Sequence, residues 1–200
     1  RLNRAVKTAD VVIIDSYLAG LDIYKEISNK AKLAVYLDDT HRHHYPAGVV
    51  INWNIDARAA DYPEDPNITY LLGAGYISLR KAFWTVKKKE IPGEVEKVMV
   101  TFGGDDSRNI TPRVLEFFVA QYPAVEKNII IGRAFENIAE IEKVKDSRTY
   151  LHFSLDDEGM KEVMEESDVA ISSGGQTLYE LAREGVPAVA VAVAENPVEN

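Results

Sequence analysis

The chain has 200 residues, 46% of them hydrophobic, with only 12 Gly and 8 Pro, the make-up of an ordered globular protein of one or two domains. Its 23 Lys and Arg stand against 32 Asp and Glu, a net charge of −9, which argues against broad binding to a nucleic-acid backbone. Zero cysteines exclude disulfides, thiolate metal sites and thiol catalysis, no apolar run approaches the roughly 18 residues of a membrane helix, and the cytoplasm is the expected compartment.

Short apolar runs alternate with helical patterns along the chain. Val11 to Ile14 is a β-branched run, expected to be a strand buried on both faces. Leu21 to Lys30 has helical spacing through Leu21, Tyr24 and Ile27. Leu33 to Leu37, ended by Asp38-Asp39, is a second strand, Val49 to Asn52 a third and Thr69 to Leu72 a short fourth. Strands separated by crossover segments predict a parallel sheet. From Thr85 to Glu96 the lysines 87–89 and the Ile91-Pro92-Gly93 breakers mark a boundary, either a linker or a surface loop.

The same rhythm then restarts. Val98 to Phe102 is a strand leading into Gly103-Gly104-Asp105-Asp106. Thr111 is the expected cap, with Pro112 at the first helical position and Leu115, Phe118, Val119 and Tyr122 as the buried stripe. Asn128 to Ile131 and Tyr150 to Phe153 are further strands, and Asp156 or Asp157 caps a helix that buries Met160, Val163 and Met164. Val169 to Ile171 turns through Ser172-Ser173-Gly174-Gly175 into a helix with Leu178, Leu181 and Ala182 inward. Gly185 and Pro187 end that helix, and Ala188 to Ala194 is the last strand. The fold class is therefore α/β with two Rossmann-like units. Residues 1–84 form the first, expected to be incomplete, 85–96 link, and 97–200 form the second, expected to be cut short. Arg1 in place of Met, and an end at Asn200 directly after a strand-like run, give the expectation of a piece of a longer protein.

Parallel sheets bind ligands beyond the carboxyl ends of their strands. Gly103-Gly104 there lets backbone approach an oxyanion closely. Ser172-Ser173-Gly174-Gly175-Gln176-Thr177 places hydroxyls and free amides at a helix start, which suits a phosphate; a tight strand–helix turn with a serine cap is the alternative. Glu180, one turn further on, either accepts hydrogen bonds from ribose hydroxyls or is a solvated helix glutamate. Asp38-Asp39, at a strand end, could orient a sugar hydroxyl or a catalytic group. His41, His43 and His44 are read as a polar surface loop in preference to a metal site, the lysines 87–89 as solvated, and Trp53 and Trp84 as packing residues.

Ser172 to Glu180, followed by Gly185-Val186-Pro187, resembles the nucleotide-binding loop and helix of MurG-related GT-B glycosyltransferases. A longer resemblance, from Ile14 to Asn196, is to the UDP-sugar hydrolases of pseudaminic acid biosynthesis (the PseG family, UDP-2,4-diacetamido-2,4,6-trideoxy-beta-L-altropyranose hydrolases) and related spore-coat polysaccharide proteins. It is carried by residues 13–17, Leu37-Asp38-Asp39, residues 51–54, residues 73–83 and Phe102-Gly103-Gly104-Asp105-Asp106.

The resemblance implies a two-domain GT-B arrangement and attack of water on the sugar C1 with release of UDP. Ser173, Gly174 and Gln176 would lie near phosphate, Glu180 on ribose, and Gly103 and Gly104 along the cleft. Asp15, Tyr17 and Asn52 would approach the sugar, and Asn196 would complete the site. Asp39 is added as a catalytic candidate beside Asp15 and Tyr17, and Ser172, Gly175 and Thr177 as nucleotide-loop candidates. The family's catalytic histidine belongs to a Gly-x-Gly-His segment that this sequence does not contain, so it is expected outside the chain, and the isolated chain is expected to be inactive. Asn196-Pro197 departs from the family's Asn-Gln pair. A UDP-sugar is the expected partner, with no cofactor, metal, nucleic acid or membrane insertion, and the oligomeric state is open. A UDP-sugar-dependent glycosyltransferase and a non-catalytic nucleotide-sugar-binding domain are the alternatives.

Overall fold

The computed structural model describes residues 9–90 and 92–192. Two compact units divide between Ser78 and Leu79. In the first, β1 (Val11–Ile14), β2 (Leu33–Leu37), β3 (Gly48–Asn52) and β4 (Ile68–Leu72) form a parallel sheet in sequence order, and α1 (Leu21–Lys30) crosses from β1 to β2. Helix α1 forms because Tyr24 and Ile27, three apart, meet the sheet, with Asp22 in the first turn and Lys30 in the last, both favourable to the helix dipole. The core beneath it is aromatic: Tyr24 meets Tyr36 edge-on at 5.6 Å, and Tyr36 stacks on Tyr45 at 5.1 Å.

Strand β1 is not buried on both faces as the sequence suggested. It is an edge strand, and among the described residues only its Ile14 side is covered by core, leaving Ile13 66% exposed. His43 also differs from a surface-loop residue: it packs its ring against Tyr24 and Tyr45.

The second unit holds β5 (Lys97–Thr101), α2 (Ile110–Gln121), β6 (Glu126–Ile131), α3 (Ile138–Val144), β7 (Thr149–Phe153), α4 (Asp157–Glu166), β8 (Val169–Ser173), α5 (Gln176–Glu184) and β9 (Ala188–Val191). Its sheet is parallel in the order β7-β6-β5-β8-β9. Chain direction across the sheet reverses between β5 and β8, so the loops after these strands diverge and leave a crevice, the topological switch point of doubly wound sheets. Val98, Val100 and Ile129 face one layer of the core, while Met99, Ile130 and Ala170 face the other, the period-two alternation of strands covered on both sides.

Leu79 to Trp84, read with the first unit from sequence, packs on the second. A 3-10 turn, Lys81–Trp84, buries Phe83 completely beside Met99, Met164 and Leu181. Lys161 donates to the carbonyls of Ala82 (3.0 Å) and Thr85 (2.6 Å), and Arg183 to those of Phe83 (3.2 Å) and Trp84 (2.9 Å). Trp84 is 65% exposed, not a packing residue, because its neighbour Phe83 takes the inward position. Lys89 is not a solvated linker lysine: it donates to the carbonyls of Met164 (3.2 Å) and Glu165 (2.6 Å) in the last turn of α4, where a cation offsets the helix dipole.

Helix α2 begins one residue before Thr111, after Asn109 at the N-cap position, and its first amides are capped from the loop by Asp106. The Asp106 carboxylate accepts from the amides of Ile110 (2.9 Å) and Thr111 (2.8 Å), so a loop aspartate satisfies the free helix donors. Tyr122 follows the helix end and is half exposed, leaving Leu115 as the centre of the stripe. In α5 the inward face carries Leu181 together with Glu180 and Glu184, while Ala182 turns outward. Of the two aspartates offered as caps for α4, Asp156 accepts from the Gly159 amide at 2.9 Å. The last strand is Ala188–Val191 and ends before Ala192; positions 193 and 194 of the expected Ala188–Ala194 strand lie outside the described residues.

Candidate functional site

In the second unit a cavity of about 350 Å³ opens beyond the carboxyl ends of β5 and β6, beside the start of α5. Gly103 and Gly104 from the β5 loop, Gly132 and Arg133 from the β6 loop, and Gln176 and Thr177 from the first turn of α5 line it. Gly132 is needed for close approach. A Cβ built there would lie 2.4 Å from the carbonyl oxygens of both Gly103 and Gly104, so only glycine lets the two loops touch. Gly175 precedes α5 with φ +99°, a backbone conformation that favours glycine and turns the chain from β8 into the helix.

Glu180 lies on the same wall, and the solvated reading of it fails. Its side chain is 2% exposed, and Arg80 grips it with two parallel hydrogen bonds, Nε to Oε1 and Nη2 to Oε2, both 2.7 Å. Nη1 of Arg80 reaches Asp157 Oδ1 at 2.8 Å, and the guanidinium carbon sits 5.2 Å from the Phe83 ring centroid. The hydrogen bonds to Glu180 hold the Arg80 guanidinium above its already high ordinary pKa, so Arg80 keeps its charge.

Among the other sequence candidates of this unit, Ser172 is buried and donates to the Ser173 carbonyl at 2.9 Å. Both serines lie within β8, and Ser173, Gly174 and Gly175 flank the α5 start without lining the cavity. Gly103, Gly104, Gln176, Thr177 and Glu180 are brought together on its wall. Asn196 lies outside the described residues. Sequence reasoning missed Arg80 and Arg133. Arg80 stood inside a quoted motif, but its role depends on a carboxylate 100 residues away.

The first unit gathers a separate polar cluster at the ends of β1, β2 and β3. The Tyr17 hydroxyl donates to Asp39 Oδ2, and Arg42 donates to the carbonyls of Ser16 and Tyr17 while lying 5.0 Å from the Tyr17 ring centroid. The bond to Asp39, with some desolvation, pushes the Tyr17 hydroxyl up to about 12. Asp38 is buried and accepts from the Tyr62 hydroxyl at 3.0 Å. Asn52 is fully enclosed. Its amide nitrogen meets Tyr62 Oη (3.0 Å) and His41 Nε2 (3.4 Å), and its carbonyl accepts from the Asn54 amide (2.9 Å), so Asn52 braces these loops from within. Asp15 follows β1 directly and is exposed. Burial also raises the Tyr62 hydroxyl.

No known family profile matches the sequence. The chain is 27% identical over 193 residues to an uncharacterized protein of Methanocaldococcus jannaschii, covering 90% of this chain and 40% of that protein. It is 24% identical over 192 residues to a Helicobacter pylori protein named pseudaminic acid cytidylyltransferase and UDP-2,4-diacetamido-2,4,6-trideoxy-beta-L-altropyranose hydrolase, covering 94% of this chain and 35% of that protein. The chain thus spans well under half the length of either relative.

Among solved structures it is similar to a chain of the GtfA/B complex, with TM-score 0.57 and 16% identity over 97% of this chain and 44% of that one. It is also similar to a mutant of S. aureus TarM in complex with fondaparinux, alpha-GlcNAc-glycerol and UDP, with TM-score 0.53 and 16% identity over 94% of this chain and 43% of that one. At such identities the likeness is one of fold. No helix among the described residues is long and apolar enough to cross a membrane.

Proposed function

We propose that this chain is part of a GT-B, glycosyltransferase-like enzyme that acts on a UDP-sugar, binding the nucleotide through its second unit. The observation that carries the reading is the glycine-lined cavity at the switch point, closed on one side by the first turn of α5. The start of α5 at Gln176 and Thr177, with its helix dipole, and the backbone of Gly103 and Gly104, which carries no side chain, suit diphosphate oxygens. Arg133, exposed on the opposite loop, supplies a full positive charge. Glu180 is assigned to the ribose hydroxyls. Donors aimed at the β-phosphate stabilise the charge that grows there as the C1–O bond breaks, which is the chemistry a departing UDP requires.

Hydrolysis at C1 is the preferred reaction. The relative whose name includes a UDP-sugar hydrolase, aligned over 94% of this chain, supports it. In the first unit, Asp39 with the Tyr17 hydroxyl on its Oδ2 is the candidate for holding and moving a proton, with Asp15 two residues before Tyr17 as a further candidate. The second reading is transfer of the sugar to an acceptor, favoured by the TarM structure that contains UDP and alpha-GlcNAc-glycerol. The test is calorimetric titration of the 200-residue chain with UDP. Weak but saturable binding, reduced about tenfold in Glu180→Gln, is expected for loss of a charge-assisted hydrogen bond. No heat of binding with millimolar UDP would overturn the reading. For the parent enzyme, free sugar released without an acceptor marks a hydrolase, and release only with an acceptor marks a transferase.

A further inference from the structure

A carboxylate as enclosed as Glu180 is costly to bury alone, and this one is not alone. Arg80 spends three of its five N–H groups on two carboxylates, one in α5 and one at the first residue of α4. The segment that carries Arg80 is itself fixed, because Lys161 and Arg183 hold the turn that follows it and Phe83 underlies the guanidinium. The guanidinium is therefore immobilised from three directions, and the Arg80 side chain is still 33% exposed on the cavity wall.

Two N–H groups of Arg80 remain, one each on Nη1 and Nη2, and each oxygen of Glu180 keeps a lone pair. A donor and an acceptor are thus presented side by side. A single hydroxyl satisfies one of them. Two adjacent hydroxyls satisfy both, one donating to the carboxylate while the other accepts from the guanidinium.

Resting on the assignment of Glu180 to ribose, we propose that Arg80 is the positioning residue that makes Glu180 selective for a vicinal diol, so that the site prefers ribonucleotides to their 2′-deoxy counterparts. Arg80 acts by orienting the carboxylate through its two-point grip. A lysine there would keep the charge but lose the parallel two-point grip.

The experiment titrates UDP and 2′-deoxy-UDP into the 200-residue chain, as wild type, Arg80→Lys and Arg80→Gln, with thermal melts recorded for each. The wild type should favour UDP by about tenfold, the worth of one charge-assisted hydrogen bond. Arg80→Lys should reduce that ratio to about threefold or less, with affinity for 2′-deoxy-UDP changed by less than about threefold, since the diphosphate contacts lie elsewhere. Arg80→Gln should abolish the ratio; if it fails to fold, Arg80→Lys alone carries the test. A ratio unchanged in Arg80→Lys would overturn the proposal and reduce Arg80 to a structural tie. Tighter UDP binding in that variant would also overturn it, by making Arg80 a plug over Glu180. Wild-type binding of UDP with no preference would sink the ribose assignment together with this inference, whereas failure to bind UDP at all would sink the functional reading itself.

Discussion

The two units end their strands in opposite ways. At the strand ends of the first, side chains satisfy one another: Tyr62 bonds Asp38, Asn52 bonds Tyr62 and Asn54, and Tyr17 bonds Asp39. At those of the second, glycines leave the backbone bare around a cavity, and Arg80, paired with Glu180 and Asp157, stands at its wall. A sheet end closed by its own polar network has already used its hydrogen-bonding capacity. One lined by glycine leaves main-chain groups and open space at the strand ends. Similar parallel architectures therefore differ in binding potential because of a few loop residues.

The contrast can be broken at several points. Phe83→Ala should have the largest effect, about 3–5 kcal/mol, because it removes a fully enclosed ring from the second unit. Denaturant unfolding followed by amide exchange should show the loss in β5, α4 and α5 while β2 and β3 keep their protection. Gly132→Ala comes next: its methyl must displace two carbonyls, so a destabilisation of about 1–3 kcal/mol and loss of UDP binding in calorimetry are expected. Asp38→Ala tests the closed end. It leaves the Tyr62 hydroxyl without its acceptor and should cost about 1–3 kcal/mol in a urea melt, with UDP affinity unchanged.

The smallest effect is in the alkaline range. Because the Tyr17 phenol is raised from 10.0 to about 12, its protonated form is favoured in the folded state. Its contribution to stability is thus complete below about pH 10 and is lost as pH climbs towards 12. Difference ultraviolet titration of wild type against Tyr17→Phe should show that late phenol, and Asp39→Asn should bring it back towards 10.

Much of this fold was legible in the sequence because β-branched runs and the helical spacing of Tyr24 and Ile27, or Met160, Val163 and Met164, depend on local period alone. Helix α3 was not, since Ile138, Ile141 and Val144 make a stripe of a single short repeat interrupted by charge. The cap of α2 was misplaced for a related reason: Thr111-Pro112 fits the local rule, but Asp106 reaches both amides from a preceding loop.

At the candidate site the glycine loops could be read from sequence, as could the place of Glu180 one turn into α5. The state of that glutamate could not. Whether a helix carboxylate meets water or a guanidinium depends on residue 80, and no local pattern reports a pairing at that separation.

Lys89, Lys161 and Arg183 fasten the Leu79–Lys89 stretch through main-chain oxygens, not through carboxylates. A carbonyl is present whatever amino acid occupies the accepting position. Drift at Ala82, Trp84, Thr85 or Glu165 therefore leaves every acceptor of these hydrogen bonds in place, so their demand on sequence falls on the three cations, beside the Arg80 pairs and the buried Phe83 ring.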